Sequence, residues 1–278
     1  MTARTRIVVP VFNAVSQTQR CLQALSLTLQ RNQADADVMV IDDASDSPAM
    51  PALLEWAKQN QPHWTVIRKE INGGFVQTVN EGMQRASRQD VILLNSDTVP
   101  AGHWLDRMIA CAIQCPDAAS ITPFTNNGEI ASLPEHRAVT PVPDDPEHWA
   151  AACESVEPPQ YPELPTAVGF CMYLRRACLD RIGLFDAETF GRGYGEENDW
   201  CMRARQAGWT HRLCDDAFVA HEGNASFGSL GLRPDEHSMQ RLLARHPDYS
   251  AVIADFIQRD PIAPIRTAIM SQINEATT

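Results

Sequence analysis

The chain has 278 residues, with 23 Lys plus Arg against 35 Asp plus Glu and a formal charge of −12. That is enough for one large α/β domain or two fused halves, and the acidic balance argues against a nucleic-acid scaffold, which carries a basic face or stripe. No apolar run of about 18 residues offers a membrane span, and no signal peptide precedes the first strand-like run, so a cytoplasmic protein is expected.

The elements follow in chain order. Arg6–Phe12 is apolar and β-rich, and Ser16–Arg31 repeats Leu at helical spacing. Val38–Ile41 reads as a strand ending at Asp42-Asp43, Met50–Asn60 as a helix and Thr65–Lys69 as a third strand. Phe75–Ser87 is a helix entered through Asn72-Gly73-Gly74, and Val91–Leu94 is a fourth, fully buried strand. Four βα units in a row predict an α/β fold with a mostly parallel central sheet flanked by helices. Trp104–Gln114 reads as a helix and Ala119–Thr122 as a short strand; Pro123–Pro165 is irregular, with one brief helix near Glu147–Cys153. So long an irregular stretch is usually functional. A strand over Ala167–Arg175, helices over Ala177–Ile182 and Glu196–Ala207, and short strands at Trp209–Leu213 and Phe218–Ala220 follow. From Asp235 onward the pattern predicts two surface helices and a frayed tail. The eight cysteines form no CxxC pair, and Cys111 and Cys115 have no nearby His or second pair, so reduced, buried thiols are expected rather than zinc.

The chemistry gathers at strand ends. Asp42-Asp43, Asn72-Gly73-Gly74 and Asn95-Ser96-Asp97 all fall on one edge of the predicted sheet, where such folds bind ligands. A glycine pair before a helix N-terminus suits close approach of an anionic or ribosyl group. Hard oxygen ligands such as Asp97 suit Mg²⁺ or Mn²⁺ on a diphosphate. Taken singly, an acid at a strand end is usually a turn or helix cap, and Gly-Gly usually only a turn. No GxGxxG follows the first strand, so this is not a dinucleotide fingerprint.

The set of motifs is specific. Ile7-Val-Val-Pro-Val-Phe-Asn13, Ile41-Asp-Asp-Ala-Ser45, Asn72-Gly-Gly-Phe75, Asn80-Glu-Gly82 and Leu94-Asn-Ser-Asp97 come first. Pro123-Phe-Thr-Asn-Asn-Gly128, Gly169-Phe-Cys-Met172, Ile182-Gly-Leu-Phe-Asp186, Tyr194-Gly-Glu-Glu-Asn-Asp-Trp-Cys-Met-Arg203 and His221-Glu-Gly-Asn-Ala-Ser226 follow. Together they resemble the inverting, nucleotide-sugar-dependent family-2 glycosyltransferases of the GT-A fold. The nearest resemblance is to the bacterial rhamnosyltransferase-like branch that builds O-antigen and related surface polysaccharides.

The resemblance implies a nucleotide-sugar-binding half over 1–100, an acceptor-binding and catalytic half over 101–232, and a helical extension over 233–278. Asp43 resembles the acid that accepts the ring N–H of the base, which uracil and thymine both offer, with Pro10 and Phe12 shaping the base pocket. Gly73, Gly74, Asn80 and Ser96 complete the donor side. Asn95 and Asp97 stand where the family has its D-x-D acids, with Asp97 as metal ligand and His221 closing the site for Mn²⁺ or Mg²⁺. Glu196 and Glu197 resemble the family's acidic pair, Glu197 aligning with the general base, whereas Asp199 and Arg203 fit an ordinary helix ion pair. Asn126, Asn127, Trp104 and Trp200 are candidate acceptor residues. The implied reaction is transfer from a UDP- or dTDP-linked sugar to a hydroxyl of a saccharide or lipid-linked saccharide, with peripheral membrane contact allowed. The rivals are a sugar nucleotidyltransferase and a non-catalytic nucleotide-sugar-binding module. The first is disfavoured because the Pro10–Ser16 loop lacks the glycines and basic residues that hold a triphosphate.

Overall fold

A computed structural model of the chain describes residues 4–223 and 236–275. Asn224-Ala225-Ser226, the expected boundary at 232/233 and the last three residues of the tail lie outside the described residues.

The first half follows the predicted rhythm: β1 (Thr5–Val11), α1 (Val15–Arg31), β2 (Ala36–Asp42), α2 (Met50–Asn60), β3 (Thr65–Arg68), α3 (Phe75–Arg85) and β4 (Val91–Leu94). These strands lie in the order β3-β2-β1-β4, all parallel. Ile7, Val9, Ile92 and Leu94 are sealed on one face by α1 and α2, and Val8, Leu93 and Met39 on the other by α3. Gly82 of α3 lies against Val8, and a Cβ there would meet Val8 Cγ1 at 2.4 Å. Gly82→Ala should therefore overpack the seam and cost about 1–3 kcal/mol, read as a lower midpoint in urea unfolding. An unchanged midpoint would show that α3 can shift away.

The second half comprises β5 (Thr98–Pro100), α4 (Trp104–Gln114), β6 (Ala118–Phe124), α5 (Pro146–Glu154), β7 (Glu163–Leu164), β8 (Cys171–Leu174), α6 (Arg176–Ile182), α7 (Ala187–Phe190), α8 (Glu196–Gln206) and β9 (Thr210–His221). Here the sheet is mixed: β8 is antiparallel to both β4 and β6, β6 is parallel to β9, and β5 and β7 are antiparallel to β9. β8 reaches β4 from a long irregular stretch rather than over a helical crossover, so nothing imposes a parallel pairing.

The two short strands expected near 209–220 are one strand. The register slips between Pro123↔Cys214 and Phe124↔Phe218, so Asp215-Asp216 form a bulge rather than a break. Both acids are buried; Asp215 accepts from the N–H groups of Gln160 and Tyr161 at 2.9 and 3.1 Å, and Asp216 pairs with Arg107 at 3.4 Å. The continued strand then pairs Thr98 with His221, which carries the histidine to the edge that holds Asp97.

Three helices, not two, close the described chain: α9 (Glu236–Arg245), α10 (Tyr249–Arg259) and α11 (Ala263–Glu275). They are not simply superficial, because Leu242, Phe256, Ile265, Ile269 and Ile273 are buried. All eight cysteines are unpaired thiols, seven of them buried and Cys115 half-buried. Among the described residues no helix is long and apolar enough to cross a membrane.

Candidate active site

A cavity of about 990 Å³ opens where β1, β2 and β4 end, lined by Pro10, Phe12, Asp43, Asn95, Ser96 and Asp97 among others. Its lining also includes Glu196, Glu197 and His221, although more than ninety residues separate these from Asp97 in sequence.

Asp43 is 3% exposed, and its surroundings are crowded with donors. Oδ1 accepts from Gly73 N at 2.9 Å and faces Lys69 Nζ at 2.6 Å, while Oδ2 accepts from Gly74 N at 2.7 Å. The glycine amides thus bind this carboxylate instead of presenting themselves to an anion. Gly74 lines the cavity and Gly73 does not. Gly74 has φ +85°, and a Cβ there would approach Arg192 Cα to 3.0 Å, so both conformation and space call for glycine. Asn80 also departs from the expectation. Its amide donates to Phe185 O at 2.8 Å and accepts from Phe185 N at 3.2 Å, joining α3 to the segment after α6, so that Phe185 lines the cavity and Asn80 does not.

After β4 the backbone of Asn95 is held by its N–H to Phe170 O at 2.8 Å and by Thr98 Oγ1 donating to its carbonyl at 2.7 Å. Its side-chain Oδ1 is buried and has no partner among the described residues. An orphaned acceptor in a cavity wall is a place for a ligand donor. Asp97, 6% exposed, lies with Oδ1 3.5 Å from His221 Nε2. The other imidazole nitrogen, Nδ1, is 2.7 Å from Asn127 O. A carbonyl can only accept, so Nδ1 carries the proton and, in the neutral ring, Nε2 offers its lone pair toward Asp97. Phe170 stacks on the imidazole at 5.2 Å between centroids and fixes its plane. Burial would lower the His221 pKa, but the Asp97 carboxylate outweighs it and holds the imidazole above its ordinary value.

This donor set fits a hard divalent cation. Among the described residues no group of three or more His, Cys, Asp or Glu side chains could hold a metal, so the described residues offer Asp97 and His221 here. Mg²⁺ is commonly held by one or two carboxylates with waters and substrate phosphates filling the rest, the part Asp97 would play, and the ring N–H to a backbone carbonyl is the usual outer support of a ligating histidine.

Glu196 and Glu197 open α8, where the helix N-terminus favours negative charge. Glu196 is 2% exposed and its Oε2 is buried without a partner among the described residues. Burial, and then the neighbouring Glu197, push its carboxyl well above its ordinary value and so toward the neutral form. Glu197 is half-buried and lies over Gly169, where a Cβ would stand 3.4 Å from its Oε1. Two adjacent acids thereby sit in different environments, one sealed in and one half-buried on the cavity wall.

Three candidate acceptor residues lie elsewhere. Trp104 is fully buried under α1, its Nε1 donating to Thr28 Oγ1 at 3.2 Å, and Trp200 is fully buried with Nε1 donating to Gly183 O at 2.9 Å. Asn126 is buried and braces β9, accepting from His221 N at 2.8 Å and donating to His221 O at 2.9 Å. Asn127 does line the cavity. Sequence reading gave no role to Lys69, Phe170, Arg192 and Tyr249: Phe170 lay inside a quoted motif, Lys69 and Arg192 lay near one, and Tyr249 sat on an apolar helix stripe.

Known proteins resemble the chain along most of its length. It is 26% identical over 227 residues to the uncharacterized protein Rv1525 of Mycobacterium tuberculosis and equally to Mb1552 of Mycobacterium bovis, covering 80% of this chain and 77% of each relative. GalNAc-T7, solved with UDP, GalNAc and Mn²⁺, superposes with a TM-score of 0.61 at 16% identity over 96% of this chain, which spans about half (54%) of that one. The mannosyltransferase PcManGT of Pyrobaculum calidifontis, solved with GDP-Man and Mn²⁺, gives 0.57 at 11% identity, covering 99% of this chain and 76% of that one. TarS 1-349 of S. aureus gives 0.56 at 16% identity, covering 97% and 80%. These likenesses show the fold, a mixed α/β sheet flanked by helices as in GT-A glycosyltransferases. The description Glycosyl transferase family 2 matches residues 6–183, well over half of the chain, and the protein belongs to that family.

Proposed function

We propose that this chain is an inverting, metal-assisted glycosyltransferase that moves a sugar from a UDP- or dTDP-linked donor to a hydroxyl of a saccharide or lipid-linked saccharide, in the synthesis of a bacterial surface polysaccharide. The observation that carries the reading is the single cavity shared by Asp43, the Asp97–His221 pair and the Glu196–Glu197 pair. Residues 1–100 supply the donor side and residues 101–232 the catalytic side.

Asp43 accounts for the base. Oδ1 already serves Gly73 N and Lys69, and Oδ2 serves Gly74 N, which leaves Oδ2 room for one more N–H. Uracil and thymine offer one ring N–H; guanine offers a ring N–H and an amino group side by side. Asn95 Oδ1 receives a ribose hydroxyl. Asp97 and His221 would hold Mn²⁺ or Mg²⁺, which when bound offsets charge on the departing diphosphate. Glu197 takes the proton of the acceptor hydroxyl as its oxygen attacks the anomeric carbon from the face opposite the diphosphate. One displacement inverts that centre, without a covalent enzyme intermediate.

A thermal-shift panel tests the donor reading. UDP or dTDP with Mn²⁺, at a hundredfold its dissociation constant, should stabilise the chain by about 2.7 kcal/mol. GDP should do less, and Asp97→Asn should remove the increment due to Mn²⁺. Failure of every nucleotide to shift unfolding in the presence of Mn²⁺ overturns the proposal.

A further inference from the structure

The family match ends at residue 183, yet much of the cavity wall comes from later residues. Along α10, Tyr249, Ile253 and Ile257 are spaced four apart, so they form one helix face, and all three line the cavity. The flank of this face is committed to the core through buried Phe256, whose ring packs against His136 at 5.6 Å between centroids, and Ile257 also touches that core. Leu242 of α9 and Ile130 and Val139 of the irregular stretch extend the same wall. Val139 remains 75% exposed. Apart from the hydroxyls of Tyr249 and Ser250, which also line the cavity, this face offers aliphatic carbon.

The polar groups gather at the Tyr249 end of this face. The Tyr249 phenol is raised by burial and by the charges of Glu197 and Glu129, while Arg137 acts on it in the opposite sense, and Glu197 and Arg137 both line the cavity. Arg137 lines the cavity with its side chain 68% exposed, and Glu129 approaches it only to 4.0 Å. An exposed pair at that distance is weak, and a phosphate readily displaces it.

Resting on the reading above, we infer that α9, α10 and the 130–139 segment form the acceptor subsite for a hydrocarbon chain joined through phosphate to the accepting sugar. The chain lies along Ile253 and Ile257, the phosphate meets Arg137, and the sugar hydroxyl reaches Glu197. Of the two acceptor classes, the wall thus favours the lipid-linked one.

Calorimetric titration of the full chain, saturated with UDP and Mn²⁺, tests this with n-alkyl phosphates below their micellar range. Decyl phosphate should bind, inorganic phosphate should not, and each methylene buried should add up to about fourfold in affinity from hexyl to decyl. Arg137→Gln, an exposed position safe for folding, should weaken decyl phosphate by about tenfold or more, and Ile253→Asp should weaken it comparably, with UDP affinity unchanged in both. Binding of UDP without binding of decyl phosphate overturns this inference alone. Binding of decyl phosphate without UDP leaves the subsite standing and overturns the donor reading. Affinity indifferent to chain length, or to both substitutions, overturns the hydrocarbon subsite, and equal affinity for decyl glucoside overturns the role given to Arg137.

Discussion

Glu197→Gln should lower sugar transfer by about 10²–10⁴-fold, the usual worth of a positioned general base, while nucleotide binding stays unchanged. The amide has the same shape and keeps the contact over Gly169, but it cannot take a proton. Its neighbour is poorly placed to substitute, because Glu196 is buried and its carboxyl is pushed toward the neutral form. Glu196→Gln should be much milder in kcat, since a neutral amide of the same shape replaces a carboxyl that burial already disfavours as an anion. Comparing kcat/KM for the two variants with UDP affinity in parallel separates the roles. Wild-type turnover in Glu197→Gln would remove it as the base, and a loss confined to Glu196→Gln would reverse the assignment.

What the sequence made legible was local. The continuous apolar run Val91–Leu94 stopping at Asn95 could hardly be other than a buried strand with a polar end, and the same held for β1 and β2. Because parallel strands share a direction, their ends share an edge, so Asp43 and Asp97 fell together on topology alone. What remained illegible depended on packing between distant segments. Trp104 and Trp200 carry an aromatic face and an N–H that suit a sugar site as well as a core, and only the carbonyl of Gly183 and the hydroxyl of Thr28 decide for the core. Asp215-Asp216 read as a break in β9 because two acids seldom lie inside a strand, yet amides from 160–161 and Arg107 satisfy them. The spacing of Tyr249, Ile253 and Ile257 announces an apolar face but not whether core or cleft lies opposite. Lys69 beside Asp43 left no periodic trace at all.

Asp199 is where the catalytic helix and the C-terminal helices are joined, and its removal should be the most destabilising single change considered. The carboxylate is fully buried; it takes Arg203 Nε at 2.8 Å, His246 Nε2 at 2.9 Å and Arg245 Nη1 at 3.3 Å. Arg203 lies on the same helix four residues on, as the sequence suggested, but Arg245 and His246 come from the end of α9 and its successor. Asp199→Ala leaves these groups facing a void, and breaking a buried pair of this kind costs about 3–5 kcal/mol. Chemical denaturation should show a lower midpoint at unchanged slope. Stability equal to wild type would mean that solvent reaches the cluster and replaces the carboxylate. Acid gives an independent check. Burial would raise the Asp199 pKa, but hydrogen bonds from His246 and Arg203 outweigh it and hold the carboxyl below its ordinary value. A depressed carboxylate stabilises the fold fully above the unfolded value of about 3.9, and that contribution is lost as pH falls through the lower folded value. Asp199→Asn has no such group to protonate, so its stability should fall less steeply than that of wild type below pH about 4. Parallel slopes in that range would show that Asp199 contributes no proton linkage, and that the helices carrying Glu197 and the apolar wall are joined by packing instead.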